Sequence, residues 1–202
     1  MYALVKSGTI TKYFNSAKGF MVGDVQYSSD IFTKWSVEEK EAIGIHEVIF
    51  DDSNKKYEQW YINTNQTFAF ANNTVTASYG LATAKAHADT LWTAQDETDG
   101  KGTEGEVASR GLKYNLIKDL KIQVANELSK TDWYITRNTE KSTAIPSAIT
   151  THRDAVRTKQ AEMETAITNA SDTPALETLH TYTKDSDGVQ SRPLGELPIL
   201  ES

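Results

Sequence analysis

Five large apolar residues, Leu112, Leu116, Leu120, Val124 and Leu128, recur at every fourth position, with Ile117 beside them. No other pattern in the 202-residue chain constrains the fold as narrowly. At about 3.6 residues per turn, this spacing keeps all five on one face, so it predicts a helix over residues 112–129 whose stripe must be covered. A second helical segment follows in the sequence. Pro146 is suited to the first position of a second helix, and Ile149, Val156, Met163 and Ile167 mark a narrow stripe along it. The two segments, 112–129 and 146–169, predict a helical hairpin, with residues 131–145 as its connector. Trp133 follows Thr131 and Asp132 directly where the first helix stops. An aromatic ring of about 150–250 Å² supplies apolar area that a thin stripe lacks, so Trp133 reads as a keystone sealing the turn.

The first eighty residues have a different texture, rich in Tyr, Phe, Val, Ile and Thr with frequent turn residues. Tyr2 to Lys6, the turn Ser7-Gly8, and Thr9 to Phe14 predict a β-hairpin. Ser36 to Ala42 predicts a short helix with Ser36 and Glu39 as a capping box, and Gly44 stops it. His46–Phe50, Lys56–Asn63, Gln66–Ala71 and Val75–Tyr79 follow as strands. The expected fold class is α+β: a small antiparallel sheet domain with one short helix over residues 1–80, then a helical region over 81–184. A Pro-containing tail occupies 185–202. Within the helical region, Leu81, Ala84, Ala88, Leu91, Trp92 and Gln95 share one face, predicting a helix over 81–96. Thr173-Pro174 opens a last short helix.

Composition and motifs exclude several chemistries. There are no cysteines, so disulfides, thiolate zinc sites and thiol catalysis are excluded. A net charge of −7 disfavours nucleic acid as a partner. No apolar run approaches the roughly 20 residues of a membrane helix, and the N-terminus lacks the pattern of a signal peptide. Residues 95–106 approach a calcium loop through Glu97, Asp99, Gly100 and Glu106. Gln95 at the first position and Gly102 at the eighth depart from that pattern, and a solvated acidic connector fits better. His46, His87, His152 and His180 lack metal-ligand spacing. There is no nucleophile elbow, and Gly100-Lys101-Gly102 is not a phosphate loop. His152, Arg153, Arg157 and Lys159 form a basic patch that suits an acidic helix or loop. No catalytic, cofactor-binding or metal-binding residue is expected, and no small-molecule substrate.

The segment from Ala125 to Ile167, about a quarter of the chain, resembles a C-terminal module of bacteriophage tail assembly chaperones and tail-fibre assembly proteins. Leu128, Thr131-Asp132-Trp133, Arg137, Glu140, Pro146 and His152-Arg153-Asp154-Ala155-Val156-Arg157 carry the likeness, with His152 where that family usually has Tyr. Ser191 to Glu196 is similar to the ending of related proteins. Trp35 to Val48, with Trp35 and Gly44 as expected fold keystones, resembles the helix-Gly-strand segment of the same class more loosely. The resemblance implies a non-catalytic protein that assists tail or tail-fibre assembly by binding fibre or tail polypeptide in the host cytoplasm. The alternative is a structural component of the virion tail, in fibre attachment or beside the baseplate, and among the partners a second copy of the chain, as a homo-oligomer, is allowed for. For such a binder the stripe Ile149, Val156, Met163 and Ile167, rimmed by Arg153 and Arg157, is the expected partner-binding face.

Overall fold

A computed structural model describes residues 1–200 and has an α+β fold. The chain divides into two compact units, Met1–Thr83 and Ala84–Ser202. The division falls close to the expected one, and the tail belongs to the second unit. Glu201 and Ser202, the end of that tail, lie outside the described residues.

In the first unit, β1 (Tyr2–Lys6) and β2 (Thr9–Phe14) form the expected hairpin. Its turn residues Ser7 and Gly8 both have positive φ, which matches the twist of the flanking strands. Then come a small hairpin, β3 (Phe20–Val22) with β4 (Val25–Tyr27), and a one-turn helix, α1 (Ile31–Lys34), neither of them legible in the sequence. Helix α2 (Val37–Ala42) carries the predicted capping box: the Glu39 amide donates to Ser36 Oγ at 3.2 Å, and the Ser36 amide donates to Glu39 Oε2 at 2.7 Å. Gly44 ends the helix with φ +81°, and an added Cβ would lie 2.4 Å from the Val5 carbonyl oxygen. Only glycine lets β1 pass so close. Trp35, partly buried, packs against the core edge-on to Tyr27.

The remaining elements are β5 (Ile45–Asp51), β6 (Tyr61–Ile62), β7 (Gln66–Ala71) and β8 (Thr74–Tyr79), with β9 (Thr83–Ala84) at the unit boundary. Five strands form a sheet in the order β2-β1-β5-β8-β7. The expected antiparallel sheet is corrected at one pair: β5 and β8 run parallel, with Val48 opposite Val75. The connection between them, residues 52–73, includes β7 and is the crossover that a parallel pair requires. The expected strand Lys56–Asn63 shrinks to Tyr61–Ile62. Asn63 explains the loss, because its amide side chain clamps the Lys56 backbone in both directions at 2.8 Å and so replaces ladder bonds. The outer strands β2 and β7 approach each other, and the rings of Tyr13 and Phe68 are 4.7 Å apart, so the sheet curls toward closure. Ala3, Val5, Val48, Val75 and Ala77 fill one side. Leu4, Phe14, Phe20, Ile31, Phe32 and Ile45 fill the other.

The second unit contains β10 (Thr90–Leu91), α3 (Ala94–Thr98), β11 (Val107–Ser109), α4 (Leu112–Ser129) and α5 (Asp132–Lys141). It continues with α6 (Ser147–Asn169), α7 (Thr173–His180), β12 (Thr183–Lys184) and β13 (Gln190–Ser191). The predicted hairpin forms, with α4 against α6. The expected helix over 81–96 does not form. The carbonyls of Ala86 and His87 instead accept the Leu112 and Lys113 amides, which are orphan donors in the first turn of α4. Thr93 and Asp96 start α3 with their own capping box. The connector 131–145 is also corrected, since most of it is the ten-residue helix α5, stopped by Ser142 at φ +54°.

Candidate functional site

The residues that carried the resemblance converge where α4 ends, α5 begins and α6 passes. Arg153, nearly buried on α6, directs Nη1 at three acceptors: the Leu128 carbonyl at 2.8 Å, Thr131 Oγ1 at 2.7 Å and Asp132 Oδ1 at 2.9 Å. The guanidinium therefore sits on the carbonyl end of α4, where a positive charge complements the helix dipole. Thr131 is 1% exposed, and its hydroxyl donates to the same Leu128 carbonyl at 2.9 Å. The Thr-Asp of the motif and the Arg of α6 thus form one polar unit.

Beside it, His152 Nε2 lies 3.2 Å from Glu127 Oε1. The pair has ion-pair distance but not hydrogen-bond geometry, and among the described residues neither atom has another hydrogen-bond partner. Glu127 also pairs with Lys130, and that bond, with further help from the charge of His152, holds its carboxyl below the usual glutamate range. The acidic complement expected for the basic patch is therefore supplied largely within the chain, by Glu127 and Asp132. Arg157 lies on the exposed side, paired with Asp154 at 3.2 Å.

Two expectations about this site are corrected. Trp133 does not seal the turn: it is 51% exposed, and its ring lies 3.7 Å from that of Tyr134. Because Asp132 is the first residue of α5, the ring projects from a first helical turn, and Thr131 takes the buried position. The stripe Ile149, Val156, Met163 and Ile167 is not an open face either. All four side chains are buried, Val156 completely, as the core of the helical hairpin. Arg153, buried with them, is a structural anchor, and Arg157 alone of the expected partner-binding set remains exposed.

The structure leaves a different apolar surface open, one the four-residue ladder concealed. Tyr114, Ile117, Lys118, Lys121, Ile122 and Ala125 line a groove of about 490 Å³ along α4. Tyr114 is 43% exposed and Ile122 50%. The signal was present in the sequence, since these residues follow three- and four-residue steps displaced around the helix from the leucines.

In the acidic loop, Asp96, Glu97 and Asp99 face the protein's own donors. Asp96 is bound by Thr93 and by Lys101 at 3.0 Å, and its carboxyl falls to about 2, the Thr93 hydroxyl being the largest cause. Asp99 reaches the same lysine at 3.1 Å, and Glu97 accepts the Glu104 amide at 3.2 Å. Among the described residues, no group of three or more acidic or histidine side chains is arranged around a common metal position. No described helix is long and apolar enough to cross a membrane.

Comparison with protein-family models, with curated proteins and with solved structures returns no significant match.

Proposed function

We propose that this chain is a non-catalytic bacteriophage tail protein that assists tail or tail-fibre assembly by binding fibre or tail polypeptide in the host cytoplasm. The observation that carries this reading is the convergence of Leu128, Thr131, Asp132 and Arg153, residues in which the chain resembles tail assembly proteins, on one hydrogen-bonded junction. That convergence gives the ordered motif a single physical purpose, which is to hold two long helices in a fixed register. Scattered chance matches have no reason to meet this way. An exposed apolar groove on α4, interrupted by two lysines, supports a binding role. Neither the buried Arg153 junction nor the acidic loop sets a nucleophile beside a base.

Co-expression with the products of neighbouring genes tests the reading. A tail-fibre or tail polypeptide should co-purify with the chain and become more soluble in its presence. Absence of both effects for every neighbouring tail product would overturn it. Mass spectrometry of purified particles separates the transient assistant, which is absent from the virion, from a structural tail component present in fixed ratio.

A further inference from the structure

Helix α4 is apolar on two sides. One side, with Leu120 and Val124, is buried in the hairpin. The other is the groove formed by Tyr114, Ile117, Ile122 and Ala125, interrupted by two lysines. Tyr114 and Ile117 lie one turn apart, as do Ile122 and Ala125, so this apolar surface runs lengthwise along α4 and a second helix can cover it. The charge of its lining decides which kind of helix.

Among the described residues, no carboxylate lines the groove. Lys118 has no ion pair among the described residues, and Lys121 Nζ reaches Glu164 only at 4.0 Å. A second copy docked face to face would follow two-fold symmetry, in which the middle of a surface meets itself. Lys118 and Lys121 occupy the middle of this surface, so self-pairing sets four ammonium groups together over an apolar seam. An acidic helix in the same place pairs with both lysines while its apolar stripe covers Tyr114, Ile117 and Ile122.

We propose that the outer face of α4 docks an amphipathic helix whose apolar stripe is flanked by Asp or Glu, contributed by a partner polypeptide and not by a second copy of this chain. This gives the assembly reading a surface and a partner chemistry, and it rests on that reading only for the origin of the helix.

The test uses the full chain and two fluorescent synthetic peptides, each three heptads of Leu and Ala, one flanked by Glu and the other by Lys. Fluorescence anisotropy should show the Glu peptide binding roughly tenfold more tightly, with the advantage shrinking as salt rises. Converting Lys118→Glu and Lys121→Glu together should invert the preference. Ile122→Asp should abolish binding of both peptides without changing the melting temperature, since Ile122 is already exposed. Equal binding of the two peptides, binding of neither, or binding that survives Ile122→Asp would overturn the proposal. So would a dimer, seen by sedimentation, that Ile122→Asp dissolves, because the groove would then belong to a second copy. Failure of the assembly reading looks different: the Glu peptide docks as stated while no tail polypeptide co-purifies. Conversely, a tail polypeptide that still co-purifies with Ile122→Asp keeps the assembly reading and removes the groove from it.

Discussion

Arg153 Nη1 has two hydrogens and three acceptors within 2.9 Å, so at least one hydrogen is shared. Removing the group takes a charge-assisted bond from the buried Thr131 hydroxyl and from the Leu128 carbonyl, which keep the bond between them. Arg153→Met should therefore cost about 1.5–3 kcal/mol in urea unfolding, the range for hydrogen bonds to a charged group. Asp132, well exposed, contributes little to that loss. Arg153→Lys should recover only part of it, because a single ammonium does not reproduce the planar guanidinium fork. Trp133→Ala should change stability by no more than about 0.5 kcal/mol, as exposed positions usually do. A Trp133→Ala loss as large as that of Arg153→Met would restore the keystone role to the ring. Glu127 adds a pH signature. Its carboxyl is depressed in the folded state, chiefly by Lys130. Its stabilising contribution is thus fully present above the ordinary glutamate value of 4.5 and is lost as pH falls through the lower folded value. Glu127→Gln should be destabilised relative to the parent at pH 7, and the gap should close as both are titrated to strongly acid pH.

At the level of single elements, the two faces of the helical hairpin make opposite predictions. Val156 is fully buried, so Val156→Asp places an unpaired carboxylate in the core and should unfold the second unit or lower its melting temperature steeply. Ile122→Asp, on the outer face, should leave the melting curve in place. Circular dichroism at 222 nm during heating reads both. The same distinction shows where the sequence was informative. Period alone located α4 and α6, because two stripes that cover each other need no information from elsewhere. It does not tell a stripe closed by its own chain from one left for a partner, so Ile149 to Ile167 reads as a docking face. It also predicted a helix over 81–96, since Leu81, Ala84, Ala88 and Leu91 satisfy helical spacing. That local preference lost to a non-local need: the first turn of α4 requires acceptors, and Ala86 and His87 provide them. Likewise the Thr131-Asp132 pair read as a helix stop, which it is for α4. The same pair also starts α5, and Arg153, 22 residues away from Thr131, bonds both of its side chains.

On the scale of the molecule, each unit has its own core, and the topology of the first implies an order of completion. Strand β8 is last in sequence of the five yet lies between β5 and β7, bringing Val75 and Ala77, both fully buried, into the centre. Until β8 arrives, β7 has no ladder partner, and the curl that brings Tyr13 to Phe68 is not fixed. Local pattern recorded the hairpins on either side, but the parallel pairing of Val48 with Val75 leaves no local trace, because it depends on a crossover and not on periodicity. A unit of this size buries enough surface to stand alone only if the sheet is complete. Expressed alone, residues 1–84 should therefore give a dispersed amide NMR spectrum and a single cooperative unfolding transition. Residues 1–71, which retain β1 to β7, should give neither, because β5 and β7 then expose their facing edges and Val48 loses its cover. If 1–84 were as collapsed as 1–71, the first unit would depend on the rest of the chain for its stability. If 1–71 folded cooperatively, the parallel pair would be an accessory to a core already made by β1, β2 and β5.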